Sequence, residues 1–208
     1  LMMVGIFFLA GAPPTQFAIM LGAVLMGIGF LIVFEPYRMA RALSFTNPWA
    51  DPLGTGYQLS NALMAFGRGE WFGTGLGHSV QKLSYLPEAH TDFMLAVLGE
   101  EFGFVGISLV MVLSFGMLAC CIKIGHRALK HNFLRAGYLA YGISIIFLLQ
   151  VLVNAGMNMG MLPTKGLTLP FISYGGSSLI MCAMMISLIL KIDATTRESN
   201  PSREESSF

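Results

Sequence analysis

The sequence predicts an all-α, multi-pass membrane protein with about five membrane-spanning helices and one large loop outside the membrane. Of its 208 residues, 55% are hydrophobic and only 11% are charged, whereas soluble domains carry about 25% charged residues. The stretches without any Asp, Glu, Lys or Arg are 1–34, 102–122, 136–164 and 166–190. Because about 20 apolar residues span a bilayer as a helix, these stretches indicate membrane helices.

Charge and cysteine content argue against a nucleic-acid-binding protein and against a protein built around a metal site or disulfides. The net charge is +1, which provides no basic surface for nucleic acid. Cys120, Cys121 and Cys182 all lie in apolar runs, without the spacing of a metal site or of a disulfide framework. We interpret them as small hydrophobic residues in helix packing.

The predicted elements follow in a simple order. They are two membrane helices in 1–34, a large loop at 35–91, three membrane helices in 92–192 and a tail at 193–208. In the first region, the Pro pair of "GAPPTQ" cannot continue a helix, so it separates a span in 1–12 from one in 17–34. The three later spans are expected at about 92–123, 134–158 and 172–191. The polar tail is expected to be disordered.

Basic residues predict the orientation of these helices. The connection 123–135 carries four Lys or Arg residues and no acid, and the C-terminal end carries Lys191, Arg197 and Arg203. By the positive-inside rule both lie in the cytoplasm, which places the large loop and the 159–171 connection outside. Leu1 already lies inside an apolar run, without an initiator Met or the basic start of a signal peptide. We therefore expect this sequence to be an N-terminally truncated fragment of a larger protein.

The large loop is expected to contain a short helix within "YQLSNALMAFGRGEWFG". Leu59, Leu63 and Phe66 share one helical face, which is typical of a helix lying on the membrane surface. Trp49 and Trp71 would then lie at the depth of the lipid headgroups. A loop helix packed on the protein's own spans explains the pattern equally well.

The stretch "SYLPEAHTDFMLAVLGEEFGFVG" places acids at the start of a membrane helix. Glu101 and Lys123 enclose 21 uncharged residues, or about 32 Å of helix, which is enough to span the hydrocarbon. If the helix is continuous, Glu100 and Glu101 lie near the outer boundary and Asp92 lies about 13 Å further out. If the helix sits lower, the two glutamates are buried among other helices and become candidates for function.

One face of this helix is made of small residues. Steps of three or four from Asp92 reach Ala96, Gly99, Gly103 and Gly106, and such stripes let another helix approach closely. Asp92 would then be fixed at the top of a tightly packed seam. The alternative is an ordinary first-turn acid, favoured by the helix dipole.

Two further polar patterns occur in the second half of the chain. Gln150, Asn154 and Asn158 repeat on one helical face, either for hydrogen bonds between helices or to line a substrate site. In "MLPTKGLTLPFISYGGSS", prolines and glycines interrupt the hydrophobic pattern, as irregular backbone does where it lines a cavity. The "YGGSS" segment opens the last helix, either as an anion site or as a plain turn.

Three segments resemble the SEDS family (shape, elongation, division and sporulation), whose members polymerise glycan strands of peptidoglycan. They are "FEPYRMAR" (34–41), residues 56–106 with "LPEAHTDF", and "NMGMLPTKGLTLPFISYGGSS" (158–178). The last segment resembles the division member of the family more than the elongation member. The resemblance implies a ten-helix fold in the bacterial inner membrane at the division septum, of which this chain holds about the last five helices.

The resemblance also implies a reaction and its residues. Two lipid II molecules, or lipid II and a growing glycan, are joined, and undecaprenyl pyrophosphate leaves. Asp92 matches the catalytic acid of the family and is the expected general base. The candidates for the pyrophosphate are Lys82, Arg68 and Lys165, with the backbone of Gly175, Gly176 and Ser177, and Glu88 and His90 either tune Asp92 or bind sugar. The further substrate-binding candidates are Asn154, Asn158 and Ser173.

Cofactors and partners are expected on the same basis. No residue cluster for a metal is visible, although a divalent cation such as Mg²⁺ or Mn²⁺ could share the pyrophosphate charge. The expected partners are a class B penicillin-binding transpeptidase and other division proteins. Two rival functions remain open, namely a lipid II flippase and a non-catalytic scaffold of the division machinery.

Overall fold

The computed structural model describes residues 13–34, 47–54, 56–82, 86–87, 89–163 and 166–198. Regular structure in these ranges is entirely helical, which confirms the all-α prediction. The α-helices are α1 (Pro14–Val33), α2 (Tyr57–Gly69), α3 (Met94–Lys130), α4 (Leu134–Asn158) and α5 (Gly176–Glu198), and a short 3₁₀ helix covers Pro48–Ala50.

Three of these helices, α3, α4 and α5, are long and apolar enough to cross a membrane. Within α1, the stretch Ala18–Gly27 is apolar but shorter. This helix begins at Pro14, three residues before the expected start, because a proline lacks only an N–H that the first turn does not use. The span predicted in 1–12 lies outside the described residues.

The ends of α3 and α5 extend beyond the predicted membrane spans. Three of the four basic residues expected in the 123–135 connection lie instead on the last turns of α3, which ends at Lys130, and the fourth, Arg135, lies in the first turn of α4. Helix α5 likewise continues past residue 193, where a tail was expected, to Glu198. Asp193 accepts hydrogen bonds from Arg127 at 2.8 Å and from Arg197 at 2.9 Å. This charged cluster joins the ends of the two helices and explains why neither stops at the end of its apolar stretch.

Helix α3 is broken at Gly103. Its φ of 66° and ψ of −161° are not helical, and this combination is open almost only to glycine. The uninterrupted part from Phe104 to Lys123 still covers about 29 Å, close to the thickness of the hydrocarbon core. The prediction of one continuous helix from 92 is therefore wrong, but the remaining helix is long enough to span the membrane.

A turn of the large loop fills the break in α3. The N–H groups of Phe104 and Val105 donate to the carbonyls of Glu70 and Trp71, at 2.9 and 3.2 Å. On the other side of the break, the Glu100 carbonyl accepts from Thr74 N–H at 2.9 Å. In an unbroken helix, the Phe104 N–H would donate to the Glu100 carbonyl, four residues earlier. The turn therefore replaces helical hydrogen bonds, and no cost of unpaired backbone remains at these groups.

Helix α2 packs on α3, and this close approach depends on the predicted small stripe. Leu59, Ala62 and Ala65 of α2 are buried. A Cβ added at Gly99 would come within 2.5 Å of the Phe66 ring, so the stripe on α3 receives α2 rather than a membrane-spanning helix. Of the two readings of the loop helix, the structure supports packing on the protein's own spans.

Candidate active site

Asp92 lies immediately before α3, which begins at Met94 with Phe93 as its N-cap residue. The Asp92 side chain is partly buried. Its carboxylate lies against Gly166, since a Cβ added at Gly166 would be 3.1 Å from Oδ2. Asp92 is therefore outside the helix, and the first-turn reading, which would have placed it within α3, does not apply.

Two asparagines of α4 hold the main chain of Asp92. Asn154 and Asn158 each donate from Nδ2 to the Asp92 carbonyl at 3.0 Å. Asn158 also accepts from Ala96 N–H at 3.2 Å, and Asn154 also donates to the Leu167 carbonyl at 2.6 Å. Both side chains are 0% exposed. For these two asparagines the structure supports hydrogen bonds within the protein, because fully buried amides do not reach a substrate. Gln150, the third residue of the stripe, has a buried Oε1 without a hydrogen-bond partner among the described residues.

A cleft of about 490 Å³ is lined in part by His90 and Met94, which lie two residues before and two residues after Asp92 in the sequence. It is lined by the residues His90, Met94, Phe171, Ile172, Ser173, Tyr174 and Leu179. Most of this surface is apolar, while His90 is exposed and contributes a polar group. The wall is tied to the Asp92 segment, because Tyr174 N–H donates to the His90 carbonyl at 2.9 Å. The cleft therefore combines an apolar wall with a polar group from His90, two residues before Asp92 in the chain.

Ser173 has a structural role in this wall. Its hydroxyl accepts from Leu169 N–H at 2.9 Å, and the residue is buried. Between these two residues, Phe171 has a φ of 63°, which is unusual for a residue with a side chain. Ser173 thus closes the strained turn that directs Phe171 into the cleft wall.

The start of α5 lies next to this turn. Gly176 opens the helix, and both Gly176 and Ser177 are exposed, while Gly175 is partly buried. A hydroxyl pair, Thr168 with Ser178 at 2.7 Å, joins this helix start to the 166–169 segment. Residues 166–168 therefore contact both segments, since Thr168 bonds to Ser178 of "YGGSS" and Gly166 lies against the Asp92 carboxylate.

Two of the three cations expected near pyrophosphate, Lys82 and Arg68, are each paired with an acid of α3. Lys82 Nζ lies 2.6 Å from Glu101 Oε1, and an Arg68 terminal nitrogen lies 3.4 Å from Glu100 Oε1. The Arg68 side chain is still 50% exposed, so it retains donors that face solvent. Glu88 and Lys165 lie outside the described residues.

Glu100 is a residue whose role the sequence did not reveal. It is 0% exposed, and its carboxylate accepts from the Ser79 hydroxyl at 2.5 Å, Val80 N–H at 3.1 Å and Gln81 N–H at 3.2 Å. The acid was visible inside an apolar run, but its partners lie about 20 residues earlier. Glu100 therefore fixes the loop before Lys82 on α3.

We expect Glu100→Gln to loosen residues 79–82. The neutral amide has one acceptor oxygen and turns an NH₂ towards groups that are themselves donors, and each buried group left unpaired costs about 1–3 kcal/mol. Hydrogen–deuterium exchange of peptides that cover 76–82 measures the effect and should rise strongly. Glu198→Gln, at an exposed site on the far end of α5, is the control. Equal exchange in the two variants would show that Glu100 does not fix the loop.

Among the residues that the structure describes, no group of three or more His, Cys, Asp or Glu side chains is arranged to hold a metal ion.

The helices and the site define a multi-pass membrane protein with a largely apolar cleft, lined by His90 and Met94 from either side of Asp92 in the chain. The family model for FtsW, RodA and SpoVE, described as "Cell cycle protein", matches residues 1–198, and the chain belongs to this family. This confirms the family that the motifs predicted.

Individual relatives are similar over nearly the whole chain. A "Probable peptidoglycan glycosyltransferase FtsW" from Acinetobacter baylyi is 90% identical over 100% of this chain and 52% of its own length. A relative with the same name from Aeromonas salmonicida is 52% identical over 94% of the chain and 50% of its own length. The chain therefore spans about half the length of these curated relatives.

A solved structure supports the fold. It is described as "Structural coordination of polymerization and crosslinking by a peptidoglycan synthase complex". The similarity has a TM-score of 0.66 at 26% sequence identity, and it covers 92% of this chain and 52% of the other. The helices described above thus correspond to about half of a larger membrane fold.

Proposed function

We propose that the full-length protein is a peptidoglycan glycosyltransferase that polymerises lipid II, with Asp92 as the general base. The observation that carries the proposal is the Asp92 segment beside membrane-length helices. Buried hydrogen bonds fix its main-chain carbonyl, and its chain neighbours His90 and Met94 line an apolar cleft. A lipid-linked sugar needs this combination of an apolar wall and a base. The name of the 90% identical relative supports the same activity.

In the proposed reaction Asp92 takes the proton from the attacking sugar hydroxyl. The hydroxyl oxygen forms a bond to the anomeric carbon of the donor, the bond from that carbon to the pyrophosphate oxygen breaks, and undecaprenyl pyrophosphate leaves with the electron pair. A base within hydrogen-bond reach lowers the barrier to the proton transfer. The leaving group gains negative charge in the transition state, so it needs fixed positive charge or N–H donors nearby.

We assign leaving-group stabilisation to Arg68 and Lys82, together with Lys165 and the backbone of Gly175, Gly176 and Ser177. Their ion pairs with Glu100 and Glu101 hold the first two cations at the same end of the bundle as Asp92. A divalent cation bound with the substrate would add charge of the same sign. Glu88 and His90 are assigned to the sugar.

The cellular setting belongs to the same proposal. We place the protein in the bacterial inner membrane at the division septum, with the large loop outside the cytoplasm. There it works with a class B penicillin-binding transpeptidase and other division proteins. The matched structure, described as coordinating polymerization and crosslinking, supports a partner that crosslinks the new strand.

The test uses the purified full-length protein with its transpeptidase partner. We expect labelled lipid II to be converted into glycan polymer that separates on a denaturing gel, and we expect no transport of lipid II across proteoliposomes. Transport without polymer would favour the flippase reading. If neither activity is seen although the complex with the partner is intact, the scaffold reading is favoured and the proposal is wrong.

A further inference from the structure

A side-chain amide occupies the place of a backbone hydrogen bond at the start of α3. In a helix that included Asp92, its carbonyl would accept from Ala96 N–H, four residues later. Here Asn158 stands between the two groups, donating to the Asp92 carbonyl at 3.0 Å and accepting from Ala96 N–H at 3.2 Å. The first helical bonds are accepted instead by the Phe93 carbonyl. The helix therefore starts after Asp92 because an amide from α4 replaces its next bond.

Asn154 extends this arrangement to the opposite wall of the site. Its Nδ2 donates both to the Asp92 carbonyl at 3.0 Å and to the Leu167 carbonyl at 2.6 Å. Leu167 follows Gly166, against which the Asp92 carboxylate lies. Asn158 Nδ2 in turn donates to Asn154 Oδ1 at 3.3 Å, so the two amides are coupled. Together they hold the main chain of Asp92 at a fixed distance from the 166–167 segment.

From this geometry we propose that Asn154 and Asn158 are positioning residues, which keep Asp92 outside α3 and hold its carboxylate against the 166–167 segment. Both amides are 0% exposed, and such groups cost free energy to bury unless they are fully hydrogen-bonded. An apolar pair of similar volume would pack two helices without this cost. The amides thus impose a backbone conformation that apolar packing would not.

The expected consequence of losing the Asn158 amide is a longer α3. With a leucine at 158, no side chain stands between the Asp92 carbonyl and Ala96 N–H, although Asn154 still donates to that carbonyl and the Phe93 carbonyl still accepts from Ala96 N–H at 3.0 Å. We expect Ala96 N–H to shift to the Asp92 carbonyl, which adds Asp92 and Phe93 to the helix. Each residue added to a helix is turned by about 100° relative to the next, so the carboxylate no longer faces Gly166. A misplacement of about 1 Å can cost about 100-fold in rate.

The first experiment measures position without any activity. Asp92→Cys and Gly166→Cys are combined in the full-length protein, with Cys120, Cys121 and Cys182 replaced by serine. We expect rapid disulfide formation when Asn154 and Asn158 are present and an at least fivefold slower reaction with Asn158→Leu. Ser144→Ala, which removes a buried hydrogen bond that stays within α4, should leave the crosslinking rate unchanged. If Asn158→Leu does not yield folded protein, it is replaced by Asn154→Ser, which weakens the ties to Leu167 and Asp92 and the coupling to Asn158 but keeps the Asn158 bonds to Asp92 and Ala96.

The second experiment uses full-length protein that retains Asp92, and its interpretation rests on the proposed function. Because the asparagines do not contact substrate, Asn158→Leu should lower kcat for lipid II polymerisation by about 10- to 100-fold at unchanged KM. Unchanged crosslinking, unchanged kcat, or a higher KM at normal kcat would each overturn the positioning role. If the unsubstituted protein does not polymerise lipid II, the proposed function fails, whereas the crosslinking result still tests the position of Asp92.

Discussion

Asp92→Asn in the full-length protein is expected to abolish lipid II polymerisation while leaving the protein folded. Loss of a general base typically lowers the rate by about 10²- to 10⁴-fold, because the amide accepts no proton at neutral pH. The substitution keeps the size of the side chain. It also keeps the main-chain carbonyl that accepts the hydrogen bonds of Asn154 and Asn158, so the start of α3 should not change.

The measurement compares polymer yield with thermal stability and with binding to the transpeptidase partner. Glu70→Gln removes an exposed acid near the turn that fills the α3 break and is the matched control for loss of negative charge. We expect normal polymer from the control and none from Asp92→Asn, with both proteins equally stable. Normal glycan polymer from Asp92→Asn would remove Asp92 as the base, and lipid II transport by that variant would favour a flippase.

The second large effect is expected for Gly103→Ala, on stability rather than on chemistry. A Cβ at residue 103 would lie 2.5 Å from Gly73 N and from the Trp71 carbonyl carbon, which are backbone atoms that cannot rotate away. The φ of 66° with ψ of −161° is also open almost only to glycine. Strain and overpacking together should cost about 2–6 kcal/mol.

Gly116→Ala is the control, because it lies in the same helix with nothing within 4 Å of its added Cβ. There the change should be neutral or stabilising by up to about 1 kcal/mol, since alanine favours helix more than glycine does. Thermal unfolding of both variants in detergent measures the difference. If Gly103→Ala unfolds at the same temperature as Gly116→Ala, then the break in α3 does not exist in the membrane protein.

The membrane helices could be predicted because their signal is local. A stretch of about 20 residues without charge must cross a bilayer or be buried, whatever the rest of the chain does. That rule correctly predicted the membrane-length helices α3, α4 and α5. It misjudged where helices end outside the membrane, because the cluster of Arg127, Asp193 and Arg197 joins positions far apart in sequence.

The break in α3 could not be predicted for a related reason. Gly99 and Gly103 were recognised as a close-packing stripe, but nothing in a stripe distinguishes a smooth helix from a broken one. The difference lies in the loop turn around Trp71, whose backbone provides the hydrogen bonds that α3 gives up at Gly103. A helix breaks only where another segment compensates its backbone groups, and that segment lies about 30 residues earlier in the chain.

The sequence by itself determined an all-helical membrane protein of this family, with Asp92 as its leading candidate for the base. Only the tertiary structure decided that Asp92 lies outside α3, that Asn154 and Asn158 contact its backbone, and that Glu100 fixes the preceding loop. Composition and motif act over short stretches of chain, whereas these hydrogen bonds join residues about 20 to 66 positions apart. Hydrogen bonds between residues so far apart in sequence form only when the helices pack, because a buried amide or carboxylate bonds to whichever segment lies against it.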